Sequence, residues 1–332
     1  MLIRLMKWCG EVLLVVVLCV LLCEITIRVW GYSDIYMYDP IYQPFPQSDQ
    51  LNYIIQPNLK DVRGPGKITF STNEIGLRSL ESGEKVPPKS PGEFRIAVLG
   101  DSVTFGQGVP TQDTFSEVLE KTMNAAGAGK VRSYNYGEMA YSIKEMVATL
   151  EYRALAIQPD LVLLCVIYDD FNLKRRCRLD KWGYLSGEFK DTWLTNSVLK
   201  KWLRQIHLIY FLRNLTSEQT THHDPLIKNF PGAFKDDLTQ FDQLTTHHSI
   251  RGLVVLLPDS HPYNETGLGI LAEFLKKENI ECLNLTHLRG EFSLKDFVCL
   301  PNDPHPSAMV HRRIGKEIAD YLTSYPSGKT TR

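Results

Sequence analysis

The most conspicuous feature of the hydrophobic pattern is an uninterrupted apolar run, Val12 to Cys23, bounded by Glu11 and Glu24. Alone it has the length of a signal-peptide core. Leu5, Met6, Trp8 and Cys9 before it and Ile25, Ile27, Val29 and Trp30 after it extend the pattern. A helix from about Leu5 to Trp30 is long enough to span a bilayer, with Lys7, Glu11, Glu24 and Arg28 reaching toward its two surfaces. No small-x-small cleavage site follows the run, and Leu22 is not the small residue that a lipobox needs before Cys23. Both points favour a retained signal anchor over residues 1–32. Arg4 and Lys7 precede the run, whereas Arg28 after it is offset by Glu24. The positive-inside bias then puts the N-terminus in the cytoplasm and the rest of the chain outside.

Residues 33–93 lack long periodic stretches and carry Pro40, Pro44, Pro46, Pro57, Pro65, Pro87 and Pro88, the pattern of an extended membrane-proximal segment. The pattern changes at Phe94-Arg-Ile-Ala-Val-Leu99, a buried-strand signal that opens a domain over 94–322. Helix-spaced Phe115, Val118, Leu119 and Met123 follow, then a strand at Val131 to Tyr136. Another helix is marked by Ile143, Met146, Val147, Leu150 and Ala154. Leu161 to Val166 and Leu253 to Leu257 read as strands. A helix from about Gly269 to Asn279 and a strand from Cys282 to Leu285 come next. A last helix from about Ser307 to Leu322 keeps Val310, Ile314, Ile318 and Leu322 together, and 323–332 is a tail. Strands alternating with helices imply a parallel sheet covered on both faces, with ligands at the carboxyl ends of its strands. The long stretch 170–249 between the third and fourth strands reads as a mostly helical insertion placed to cap the site.

Composition narrows the function classes. Hydrophobic residues make up 43% of the chain, enough for a large core. Lys+Arg total 37 against 38 for Asp+Glu, a net charge of −1 that gives general nucleic-acid binding no basis. Of the seven cysteines, Cys9, Cys19 and Cys23 belong to the anchor and Cys165 to a strand; spacing does not pair Cys177, Cys282 and Cys299. The His222-His223 and His247-His248 pairs lack carboxylate–histidine spacing, so no metal or other cofactor is expected. The basic run Lys174 to Arg178 reads as a solvated face. The Asn-x-Thr sites at Asn214, Asn264 and Asn284 carry little information.

Candidate chemistry sits at two separated places. Gly100-Asp101-Ser102-Val103-Thr104-Phe105-Gly106 puts a serine at the carboxyl edge of the first strand of the domain, before a turn whose N–H groups can receive an oxyanion. A serine needs a base within reach. Asn302-Asp303-Pro304-His305-Pro306, just before the last helix, supplies one if a bent proline loop turns Asp303 and His305 toward the same point.

This layout resembles the SGNH, or GDSL, hydrolase superfamily over about residues 94–322. The resemblance implies a flavodoxin-like three-layer α/β/α fold, with Ser102 as nucleophile, His305 as base and Asp303 as its partner. It makes the amides of Ser102 and of Gly137, in Asn135-Tyr-Gly137, oxyanion donors. Asp101, Asn135 and Asp170 are candidates for substrate binding. The spacing of Asp303 and His305 is similar to that of some membrane-anchored members; the commoner spacing would put Asn302 in the aspartate's place. Asn73-Glu-Ile-Gly76-Leu-Arg78 also looks like a segment found ahead of the serine in anchored bacterial relatives. One block departs from the pattern: where the family usually has Gly-x-Asn-Asp, whose Asn amide is the third oxyanion donor, the chain reads Ile167-Tyr168-Asp169-Asp170, so the resemblance puts Asp169 in the third oxyanion place. An ionised Asp169 accepts hydrogen bonds and cannot donate one to an oxyanion. The implied activity is hydrolysis of acyl esters of a carbohydrate or lipid through an acyl-serine. An O-acyltransferase using the same intermediate, or a non-catalytic binding protein, are the alternatives.

Overall fold

The structure, a computed structural model, describes residues 2–31, 37–127, 129–171, 177–186, 202–216, 234–260, 264–301 and 303–325. The chain opens with α1 (Leu2–Trp30). Its apolar stretch has a mean hydropathy of 2.8 and is 6% buried. A core helix of such composition would be covered by neighbours, whereas this one is long and apolar enough to cross a membrane. Short antiparallel strands follow: β1 (Tyr42–Pro44) pairs with β2 (Tyr53–Ile55), and β4 (Ile68–Thr72) lies between β3 (Val62–Gly64) and β5 (Arg78–Ser79).

The domain proper runs β6 (Glu93–Gly100), α2 (Ser102–Phe105), α3 (Phe115–Ala125), β7 (Lys130–Gly137), α4 (Ile143–Tyr152) and β8 (Leu161–Val166). The small hairpin strands β9 (Arg178–Leu179) and β10 (Leu185–Ser186), then α5 (His207–Thr216) and α6 (Lys235–His247), lead to β11 (Arg251–Leu256). The chain continues through α7 (Asn264–Lys277), β12 (Cys282–Asn284), α8 (Leu294–Phe297), β13 (Val298–Leu300), β14 (Asp303–Pro306) and α9 (Ala308–Ser324). The central sheet is five-stranded and parallel throughout, in the order β12-β11-β8-β6-β7. In chain order this is the flavodoxin-like 2-1-3-4-5 arrangement, whose switch point lies between β6 and β8, beside the carboxyl end of β6.

Strand alternation divides the core into two layers. Ile96 and Val98 of β6 face Phe115, Leu119, Val310 and Ile314 of α3 and α9. Ala97 and Leu99 face the other way, onto Ile143 and Met146 of α4, Phe241 of α6 and Leu268 and Leu271 of α7. Two expectations are corrected here. The segment from Ile41 onward is packed rather than simply extended: Ile41, Tyr42, Leu51, Tyr53, Ile55, Phe70 and Leu77 are buried and extend the second layer. Its prolines end short strands, and the apolar residues between them are what pack. Residues 235–247 are likewise not part of a cap; α6 is the crossover helix that delivers β11 to the sheet. Most of the remaining insertion, including Lys174–Arg176 and His222–His223, lies outside the described residues, as does Asn302. Among the described residues no group of histidines, cysteines and carboxylates could hold a metal ion, and Cys177, Cys282 and Cys299 form no disulfide there.

A buried ion pair ties the N-terminal strands to the domain. Glu138 Oε1 accepts from Ile55 N (3.0 Å) and from the Arg153 guanidinium (3.2 Å), which also donates to the Ile75 carbonyl. Burial pushes the Glu138 carboxyl up to about 7, against the pull of Arg153. Glu138→Ala would strand Arg153 in the interior, a loss of about 3–5 kcal/mol. A lowered urea midpoint of the detergent-solubilised protein is the expected result, and an unchanged midpoint would show that the pair contributes nothing net.

Candidate active site

Ser102 opens α2 directly beyond the carboxyl end of β6. The helix is a single turn, held at its start by Asp101 Oδ1, which accepts from Val103 N at 2.8 Å. It ends at Gly106, whose φ of 84° closes the turn in the left-handed region that glycine tolerates. A second glycine has a different task. A Cβ on Gly137 would lie 2.2 Å from Phe105 N, so only glycine lets the end of β7 approach α2 this closely.

The loop after α2 is gripped by Arg78, the last residue of the Asn73-Glu-Ile-Gly76-Leu-Arg78 segment. Its buried guanidinium donates to the carbonyls of Phe105 (2.9 Å), Gly106 (2.8 Å) and Val109 (2.5 Å) and to Thr111 Oγ1 (3.0 Å). It also lies over the Phe105 ring. Burial lowers its pKa to about 9, which leaves it charged at neutral pH. The segment thus positions the serine turn from the N-terminal strands, which explains why those strands are packed rather than loose.

The opposite half of the site comes from the β13–β14 hairpin, in which Leu300 pairs with Asp303 and Val298 with Pro306. Here the sequence reading needs correcting in mechanism. Asp303 and His305 are not brought together by a bent loop. They sit two apart on an extended strand, and residues i and i+2 share a face by the geometry of the strand. His305 Nδ1 lies 2.5 Å from Asp303 Oδ1, and His305 Nε2 lies 2.8 Å from Ser102 Oγ. A carboxylate can only accept, so Nδ1 carries the proton and Nε2 presents its lone pair to the serine hydroxyl. The hydroxyl has a second, longer acceptor in Asp101 Oδ2 at 3.3 Å.

Electrostatics reinforce this order. Burial pulls the His305 imidazole down, but the hydrogen bond and charge of Asp303, helped by Asp101 and Asp259, outweigh it, and its pKa is raised. Burial likewise raises Asp303, and the hydrogen bonds from His305 and Gln107 more than offset that, so it stays below the usual carboxylate range. Gln107 was not singled out from sequence. Its Nε2 donates to Asp303 Oδ2 at 3.0 Å, fixing the carboxylate from the side away from the histidine. The Gly106-Gln107-Gly108 stretch gave no signal for this, because the contact spans most of the domain.

Asn135 and Asp170 are turned toward backbone. Asn135 is buried between Thr104 O, to which it donates (2.9 Å), and Gly137 N, from which it accepts (2.9 Å). The Gly137 amide is therefore engaged by Asn135 here, and Asn135 acts as a clamp between β7 and α2. Asp170 is buried and accepts from Ile167 N at 2.7 Å, capping the turn after β8. Asp101 is buried as the cap of α2. Asp169 stands half-buried in that same turn beyond β8, a single 3₁₀ turn over Tyr168–Phe171. Asn264, uninformative as an Asn-x-Thr site, anchors this turn by accepting from Tyr168 N (2.9 Å) and donating to Leu257 O (2.9 Å).

No protein-family model and no curated protein matches the chain. Solved structures similar to it include the lipase/acylhydrolase from Enterococcus faecalis, 14% identical, with a TM-score of 0.45 over 70% of this chain and 96% of that one. A member of the lipolytic protein G-D-S-L family from Veillonella parvula is 16% identical, with a TM-score of 0.42 over 69% and 98%. The family 3 carbohydrate esterase of Clostridium thermocellum is 10% identical, with a TM-score of 0.45 over 70% and 96%.

Proposed function

We propose that this chain is a membrane-anchored serine esterase of the SGNH type. In this reading α1 is its anchor and the domain, on the extracytoplasmic side, removes acyl groups, acetyl being the simplest, from a carbohydrate or lipid. The observation that carries the reading is the continuous chain of hydrogen bonds from Ser102 through His305 to Asp303. Ser102 Oγ attacks the ester carbonyl as His305 Nε2 takes its proton. His305 then returns that proton to the leaving alcohol, and an acyl-serine remains. Water, deprotonated by the same nitrogen, attacks the acyl carbon; the acid leaves and Ser102 recovers its proton. The basic Arg4 and Lys7 ahead of the apolar run support the orientation. The direct test is labelling of the protein by a fluorophosphonate. Absence of labelling across neutral and mildly alkaline pH would overturn the esterase reading and leave a binding protein.

Asp169 favours a second reading, an O-acyltransferase that passes the acyl group to a sugar hydroxyl. A carboxylate in the third oxyanion place opposes the charge that develops on the tetrahedral intermediate, while it can accept a hydrogen bond from an acceptor hydroxyl. Asp169→Asn keeps the size and supplies an N–H donor, and one such donor is worth about 10²–10³ in rate. For an esterase, hydrolysis of a simple acetyl ester by the variant rises. A sharp fall in hydrolysis, accompanied by loss of acyl transfer to an added sugar, is the transferase outcome.

A further inference from the structure

The anchor and the domain are joined by more than the chain that links them. Glu24, in the last turns of α1, accepts the backbone N–H groups of His207 (3.0 Å) and Leu208 (2.8 Å), so a residue of the spanning helix satisfies the open start of α5. Arg28, paired with Glu24, donates to the Gln205 carbonyl at 2.7 Å. The Trp30 and Phe211 rings lie 6.4 Å apart.

This contact covers only part of the apolar face of α5. At 100° per residue, Phe211, Leu208, Leu212 and Ile209 occupy roughly 160° of the helix circumference. Phe211 is turned to α1, while Leu212 is 49% exposed and Ile209 37%. Trp202, at the start of the turn leading into α5, is 71% exposed, and Trp30 at the end of α1 is 67% exposed. An apolar band of this kind facing water is unfavourable, and tryptophan at its edge is the residue that suits a membrane–water boundary. Charge is arranged to match. A cavity of about 330 Å³ at the start of α5 is lined by His207, by Lys67 and by Arg63, whose guanidinium also pairs with Asp39; the lysine and arginine suit the phosphates of lipid headgroups.

We propose that α5 and the turn carrying Trp202 lie in the headgroup–acyl boundary of the bilayer that α1 crosses. There they hold the domain at a fixed attitude to the surface. The occupant of the exposed face is thus lipid, because the face continues from a helix that is itself exposed to the bilayer. The inference rests on α1 being a membrane anchor, and its test separates the two claims. The full chain is reconstituted in phosphatidylethanolamine–phosphatidylglycerol vesicles containing radiolabelled phospholipid. Benzoylphenylalanine replaces Leu212, with Trp202 and Ile209 as further positions should one variant fail to fold. Leu18 in α1 is the positive control, and Tyr152, an exposed aromatic on α4, is the comparison. Illumination is expected to give a lipid adduct at Leu212 comparable with that at Leu18 and well above that at Tyr152. Adduct at Leu18 with no more at Leu212 than at Tyr152 overturns the docking and leaves the anchor standing. No adduct at either overturns both. A cross-link from Leu212 to a second copy of the chain would make this face a protein interface and overturn the lipid assignment.

Discussion

Replacing Ser102 by alanine is expected to lower acetyl-ester hydrolysis by about 10⁶-fold and to abolish fluorophosphonate labelling, with the fold unchanged. The magnitude follows from the hydroxyl being the atom that forms the acyl bond; alanine leaves the ester nothing to attack it but water. The fold should survive because, among the described residues, the hydroxyl bonds toward His305 and Asp101 alone. The start of α2 is capped by Asp101, and its loop is held by Arg78, both independent of the serine side chain. His305→Ala should cost nearly as much, and the double variant little more than either, because the two groups act in one proton transfer. Labelling that persists in Ser102→Ala would move the nucleophile elsewhere. Additive losses in the double variant would mean that Ser102 and His305 do not act together.

Asp303→Asn is expected to lower turnover by about 10⁴-fold with the main chain undisturbed. Asparagine can offer an N–H where the carboxylate offered only acceptors. The imidazole is then free to carry its proton on Nε2, facing the serine hydroxyl it should deprotonate. The pH profile adds a second readout. Only neutral His305 can take the serine proton, so hydrolysis by the wild type rises as pH passes upward through the histidine pKa. Burial depresses that pKa, but Asp303 raises it beyond the ordinary value of 6.5. With asparagine the burial effect loses its main opponent, and the ascending limb moves to lower pH. A variant with lost activity and an unmoved limb would assign Asp303 a structural role only.

The fold could be read in the sequence because its strands and helices carry strong periodic signals. Leu161 to Val166 and Leu253 to Leu257 are apolar on both sides, as strands covered by two helical layers must be. The serine and histidine were legible because each stands in a short local pattern at an element boundary. What escaped was whatever depends on distant pairing. The strands between Ile41 and Ser79 are a few residues long and interrupted by proline, so each is specified by the surface it packs on rather than by its own pattern. Gln107 and Asn264 do their work through contacts to elements far along the chain. Asn135 and Asp170 illustrate the converse. Polar residues at strand ends look available for ligands, yet buried strand ends leave backbone groups that need partners, and these side chains supply them.

Ser102 and His305, the proposed nucleophile and base, stand 203 residues apart in the chain, and His305 lies on the hairpin that precedes the closing helix. The order of synthesis therefore governs when the chain can act. Ser102, its turn and the Arg78 grip can all be in place while the last strands are still being made. The serine has no proton acceptor on a histidine until β14 pairs with β13 and α9 seats against α3. In the proposed reading, an anchored chain of this design would stay chemically silent while it is being delivered across a bilayer full of esters. On that reading it would become reactive only once the final helix has arrived, so completion of the fold would serve as its activation step.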